Sequence, residues 1–136
     1  MEPLEPPTCR TLIVDDDRRS KTALAALLEQ HGYHVKAVET LGGAFGTYIK
    51  WRPQCVVLDL MLPDGNGIEF LRTVRLHDIP VHVAVLTGAN DPKLLAEVRA
   101  MQPERLLFKP LQLELLLKWL EERAKGPVDG QSTDGQ

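Results

Sequence analysis

Apolar residues gather in five short runs, at residues 11–14, 33–38, 55–58, 81–86 and 105–108. Each is rich in β-branched or large aliphatic side chains. Four are near-continuous rather than alternating, the pattern of strands covered on both faces, as in a parallel sheet. The stretches between them carry a helical period. It is clearest at residues 21–30, with Leu24, Leu27 and Leu28, and at 68–76, with Leu71 and Val74. The order reads strand then helix five times, which predicts a single α/β domain.

The punctuation supports this reading. Gly32 closes the first helix, Asn90, Asp91 and Pro92 cap and start the fourth, and Pro103 stops it. The second helix, over 41–52, is the weakest prediction. Gly42, Gly43 and Gly46 each disfavour it by up to ~1 kcal/mol relative to alanine, so tertiary packing must hold it or it is short. The last helix, over 112–125, has Leu113, Leu116, Leu117 and Leu120 on one stripe expected to be buried. Leu115 and Trp119 fall outside the centre of that stripe, and are expected to flank the core or form an apolar patch outside it. The domain is expected to span 9–125. Residues 1–8, with three prolines, and the polar 126–136 read as disordered flanks, the second of them a tail or the start of a linker.

Composition narrows the function. A chain of 136 residues with 43% hydrophobic and 26% charged residues suits one globular domain with its own core. A net charge of −3 with no basic cluster argues against direct nucleic-acid binding. No apolar run reaches the ~20 residues of a membrane span. The first ten residues carry acids and prolines where a secretory signal has basic and apolar ones, so a cytoplasmic chain is expected. Cys9 and Cys55 are too far apart in sequence for a zinc or redox motif. If the first and third strands pair, these two cysteines approach each other at one rim, where a reducing cytoplasm is expected to keep them as thiols. His31, His34, His77 and His82 stand at no strand's carboxyl end and are assigned no role.

Parallel strands joined by right-handed crossovers align their carboxyl ends along one edge, where ligands of open sheets bind. Asp15, Asp16 and Asp17 follow the first strand, Asp59 the third, Thr87 the fourth and Lys109 the fifth. If the first and third strands are neighbours, Asp15, Asp16 and Asp59 crowd one pocket. Like charges at ~4 Å repel by ~4 kcal/mol per pair at an effective dielectric of 20, so the trio needs a cation or a raised pKa. An all-oxygen donor set in a small open site suits Mg²⁺. With a lysine and a threonine aimed at the same place, the set can stabilise the equatorial oxygens of a transferring phosphoryl group. Asp17 is expected to cap the first helix instead.

Over residues 10–125 the chain resembles the receiver domains of two-component response regulators. The resemblance rests on four segments: Leu12, Ile13 and Val14 running into Asp15, Asp16 and Asp17; Asp59 followed by Met61, Pro63, Gly65 and Gly67; Thr87 followed by Gly88; and Phe108, Lys109 and Pro110. It implies a flavodoxin-like fold, a five-stranded parallel sheet of order 2-1-3-4-5 with helices on both faces. It also implies Asp59 as phosphoacceptor, and Mg²⁺ held by Asp16, by Asp15 through water, by Asp59 and by the Met61 carbonyl. Lys109 would pair with the phosphoryl group, Thr87 would swing toward it, and the Lys109–Pro110 bond would be cis. The implied partners are a histidine kinase or phosphotransfer protein as donor, and an output partner or second copy at the face of the fourth helix, fifth strand and fifth helix. Such a domain is a signalling phosphoacceptor that catalyses only its own phosphorylation and dephosphorylation. One departure stands out: three residues before the lysine, where the family usually has Tyr or Phe, this chain has Leu106.

Two other functions fit parts of the pattern. A small haloacid-dehalogenase-like phosphatase would use Asp15 as nucleophile and Asp17 as general acid with Mg²⁺. Arg19 stands where that family expects Thr or Val, and 136 residues leave little room for a cap. A flavin carrier on the same fold would want a Ser/Thr/Gly-rich phosphate loop after the first strand, where three aspartates would repel the phosphate.

Overall fold

The computed structural model describes residues 9–125; both flanks predicted to be disordered lie outside them. Five strands make the main sheet: β1 (Arg10–Val14), β2 (His34–Val38), β3 (Cys55–Leu58), β6 (His82–Thr87) and β7 (Arg105–Phe108). Two short strands, β4 (Met61–Leu62) and β5 (Gly65–Asn66), form a separate antiparallel hairpin that the apolar pattern did not disclose. The helices are α1 (Arg18–Gln30), α2 (Leu41–Trp51), α3 (Ile68–Leu76), α4 (Pro92–Ala100) and α5 (Leu113–Lys125). The main sheet runs β2-β1-β3-β6-β7, parallel throughout. Counting its five strands alone, this is the expected order 2-1-3-4-5.

Alternation along the strands builds two cores. Leu12, Val14, Val56, Leu58, Val83 and Val85 face one way, onto Ala44 of α2, Phe70, Leu71 and Val74 of α3 and Val98 of α4. Ile13, Val57, Ala84 and Leu86 face the other, onto Leu24 and Leu28 of α1 and Leu116, Trp119 and Leu120 of α5. Each fully buried aliphatic or aromatic side chain contributes ~1.5–3 kcal/mol. β1, β3 and β6 are buried on both faces, as their sequences predict; β7, read as a continuous run, is an edge strand with Arg105 and Phe108 exposed.

Trp119 corrects the reading of the last helix. It is 1% exposed and part of the core, with its indole N–H donating to Glu104 at 3.0 Å. Leu115 alone stays outside, 50% exposed, while Leu113 and Leu117 are half-buried against the core. The indole could enter because Glu104 offers a carboxylate to its polar edge.

Local chemistry sets the helix ends. Asp17 caps α1 as expected, accepting from the amides of Arg19 and Ser20 at 3.1 and 3.4 Å. Gly32 follows that helix at φ +94°, a conformation that glycine adopts without strain. Asp91 caps α4, whose first residue is Pro92. The glycine-rich α2 forms across 11 residues. Thr40 Oγ1 accepts from the Gly43 amide at 2.9 Å, and Asp64, 23 and 22 residues beyond Leu41 and Gly42, accepts from their amides at 2.7 and 2.9 Å. That second cap ties α2 to the β4–β5 hairpin, and the sequence pattern gave no sign of it.

Candidate functional site

Sheet register places the polar residues. Val14 pairs with Leu58, Leu58 with Val85 and Thr87 with Phe108, so the residues that follow β1, β3 and β7 share one edge with the end of β6. The ladder runs one bond past the strands: Asp15 N–H bonds Val38 O at 3.0 Å, Asp59 N–H bonds Val14 O at 2.9 Å and Lys109 N–H bonds Thr87 O at 2.9 Å. The backbones of the key residues are therefore fixed by the sheet rather than by loops.

Four of the expected side chains, those of Asp15, Asp16, Asp59 and Lys109, meet there, and Thr87 ends the neighbouring strand. Carboxylate oxygens of Asp15, Asp16 and Asp59 lie within 4.8 Å of one another, and among the described residues this is the one set of three such groups close enough to hold a metal ion. Asp15 and Asp59 are 5% and 7% exposed, whereas Asp16 is open to solvent. Lys109 Nζ donates to Asp59 Oδ2 at 3.1 Å and to Asp15 Oδ2 at 3.4 Å. Thr87 is buried, its hydroxyl oxygen accepting from the Ala89 amide at 3.0 Å. Met61 presents its backbone to the pocket rim, with its N–H donating to Asp59 Oδ1 at 3.3 Å. The Lys109–Pro110 bond is cis.

Burial pushes the Asp59 carboxyl above the usual carboxylate range; the hydrogen bonds from Lys109 and Met61 oppose this, and the Asp15 charge adds to it. At Lys109 the balance runs the other way. Burial lowers its pKa, but Asp59 and Asp15 outweigh that and hold it above the usual lysine range. The two directions agree on one picture, a lysine that stays charged because it serves two carboxylates whose own charge is poorly solvated. Such a cluster could hold a metal ion.

Gly67 shows how tightly the hairpin is drawn in. A Cβ there would stand 2.2 Å from the Asp59 carbonyl oxygen and 3.0 Å from Leu60 Cα. Glycine is required there by close approach to the backbone of Asp59. Asp64 was missed. A carboxylate inside a Pro-Asp-Gly turn looks like a turn former, and only the fold brings it to the start of α2.

Leu106 is half-buried and packs against the core on the Val85 face of the sheet. Phe108, the aromatic nearest in sequence, is 45% exposed and pairs in register with Thr87. Asp17, which a phosphatase would need as general acid, is fully engaged with α1: it also accepts from Ser20 Oγ at 3.1 Å.

A doubly wound α/β module with an acidic, lysine-bearing pocket at its carboxyl edge is what fold and site define. The chain belongs to the response regulator receiver domain family, whose family model matches residues 11–121. It is a receiver domain of two-component response regulators, and the phosphatase reading finds no support. It is 32% identical over 126 residues to the phosphate regulon transcriptional regulatory protein PhoB of Pseudomonas aeruginosa, covering 89% of this chain and 55% of that protein. The non-phosphorylated HemR receiver domain of Leptospira biflexa superposes with a TM-score of 0.76 at 28% identity, covering 88% of this chain and 96% of that one. The signal receiver domain of a Vibrio parahaemolyticus Luxo repressor protein gives 0.79 at 26%, covering 87% and 91%. The chain spans about half the length of the curated relatives it matches, from 42% to 55% for three of them.

Proposed function

We propose that Asp59 accepts a phosphoryl group from the phosphohistidine of a histidine kinase or phosphotransfer protein, and that residues 9–125 form the working domain. The observation that carries this is the Lys109 ammonium bonded at once to Asp59 and Asp15. The carboxylate oxygen of Asp59 attacks phosphorus, the N–P bond breaks, and its electron pair leaves on the imidazole nitrogen. Lys109, already beside Asp59, follows the charge onto the phosphoryl oxygens. The Thr87 hydroxyl, at the end of the neighbouring strand β6, would donate its proton to the same oxygens while its own oxygen accepts from Ala89. The chain thereby catalyses its own phosphorylation, and hydrolysis of the acyl phosphate resets it.

The donor set fits Mg²⁺: three carboxylates with no nitrogen or sulfur ligand, one of them open to water. Asp15, Asp16, Asp59 and the Met61 carbonyl would hold it, and the ion supplies positive charge for the phosphoryl oxygens. A groove of about 460 Å³, opening beside Asp15 and Lys109 and lined by Ala23, Leu24 and Leu27 of α1, offers room for a donor protein. On the far edge, Leu106, Phe108 and Leu115 line a smaller one of about 200 Å³, the proposed face for an output partner or a second copy. Among the described residues no helix is long and apolar enough to cross a membrane.

Incubation with acetyl phosphate and Mg²⁺, followed by peptide mapping, tests the proposal. Phosphate is expected on Asp59 and absent from Asp59→Asn. Label on Asp15, or wild-type labelling of Asp59→Asn, would overturn it. Asp16→Asn should weaken Mg²⁺ binding in calorimetry on the order of 10-fold or more, the scale on which even an outer-shell partner acts.

A further inference from the structure

At the opposite rim of the sheet, Cys9 and Cys55 bring their sulfurs to 3.4 Å. Both are free thiols, 1% and 0% exposed. We propose that a hydroperoxide converts this pair to an intramolecular disulfide, making the entrance of β1 and β3 a reversible modification site remote from the carboxylate pocket.

Geometry favours this chemistry over metal binding. A disulfide needs ~2.05 Å between sulfurs, so the thiols have only a little over 1 Å to close. A structural metal would need a third and fourth ligand, and among the described residues no third metal-ligating group joins the two sulfurs. Cys9 lies just outside the strand, Cys55 within one. Cys9 precedes β1, and its carbonyl is held by the His34 amide at 3.3 Å, whereas Cys55 lies within a fully buried strand between Thr11 and His82 in register.

The surroundings also divide the roles. The hydrogen bond shared with Cys55 lowers the Cys9 thiol to about 7 against the effect of burial, and Thr11, His82 and Arg10 push the same way. Its partner is pushed up, through that shared hydrogen bond first and burial second. Cys9, which precedes β1 while Cys55 is part of buried β3, is assigned as the sulfur oxidised first and Cys55 as the one that resolves it. The Cys9 thiolate attacks the peroxide O–O bond, becoming a sulfenic acid as the alkoxide leaves and takes a proton. The Cys55 sulfur then displaces water from that sulfenic acid. In sum, two thiols and one hydroperoxide give a disulfide, an alcohol and water. Because both sulfurs are shut from solvent, oxidation is limited by opening of the strand end and should be slow.

The test uses the full chain with hydrogen peroxide as oxidant. After treatment, the protein is unfolded in guanidinium with N-ethylmaleimide and digested without reductant. The expected result is a cross-linked peptide pair containing Cys9 and Cys55, no maleimide on either, and recovery of both thiols with dithiothreitol. Cys55→Ala should accumulate oxygen on Cys9, and Cys9→Ser should keep Cys55 as a thiol. Two maleimide-labelled cysteines after prolonged treatment, or a disulfide joining two chains instead, would overturn the proposal on wild-type protein alone. Phosphorylation at Asp59 does not enter this readout.

Discussion

Lys109 reaches across the width of β6 to bond Asp59, Nζ to Oδ2 at 3.1 Å, although 50 residues separate the two in sequence. The same ammonium bonds Asp15, so one cation holds two nearly buried carboxylates.

Replacing that cation by an isosteric apolar group leaves the carboxylates to repel each other. Lys109→Met is expected to destabilise the metal-free protein by about 1–3 kcal/mol, the scale of leaving buried polar groups uncompensated. Mg²⁺ should restore more stability to the variant than it adds to wild type. Urea unfolding in EDTA and in Mg²⁺ checks both, and equal Mg²⁺ effects would contradict the shared role of lysine and metal.

The acidity of Asp59 gives a pH signature. Its pKa is raised in the folded chain, chiefly by burial. A carboxyl raised on folding adds stability below its unfolded pKa, and that contribution is lost as pH rises through the folded value. Asp59→Asn should therefore be more stable than wild type at neutral pH without Mg²⁺, with the gap closing as pH falls into the ordinary carboxylate range. Thermal unfolding across pH measures this. A gap that widens on acidification would reverse the assignment.

Gly67 has no room for a methyl group, because its backbone meets the Asp59 carbonyl. Gly67→Ala should lose about 1–3 kcal/mol by urea unfolding, as overpacking does. It should also slow acetyl phosphate labelling, since the backbone that must yield carries the proposed acceptor. Unchanged stability would mean that the hairpin gives way freely.

Asp64 should matter for α2 rather than for the pocket. The Gly42 and Leu41 amides hold its carboxyl below the usual range, so its contribution is present above the unfolded pKa and lost as pH falls through the folded one. Asp64→Ala is expected to speed hydrogen exchange at the Leu41 and Gly42 amides while leaving β3 protected. Asp64→Asn, which keeps an acceptor oxygen, should recover part of the protection.

The chain's own pattern determined the parallel α/β architecture, because buried strands and amphipathic helices are written in nearest-neighbour periodicity. It also determined the candidate chemistry, since Asp15, Asp16, Asp59, Thr87 and Lys109 each fall where a strand ends, and parallel strands end together. Other features were decided only by tertiary structure. Asp64 on α2 is a contact between distant segments, and no local period encodes it. Trp119 lies off the leucine stripe and enters the core because Glu104, from another element, receives its N–H. The approach of Cys9 to Cys55 was expected only on condition that β1 pairs with β3, and the fold meets that condition. Periodicity tells each residue which way to face; which partner it meets there depends on segments that only folding brings together.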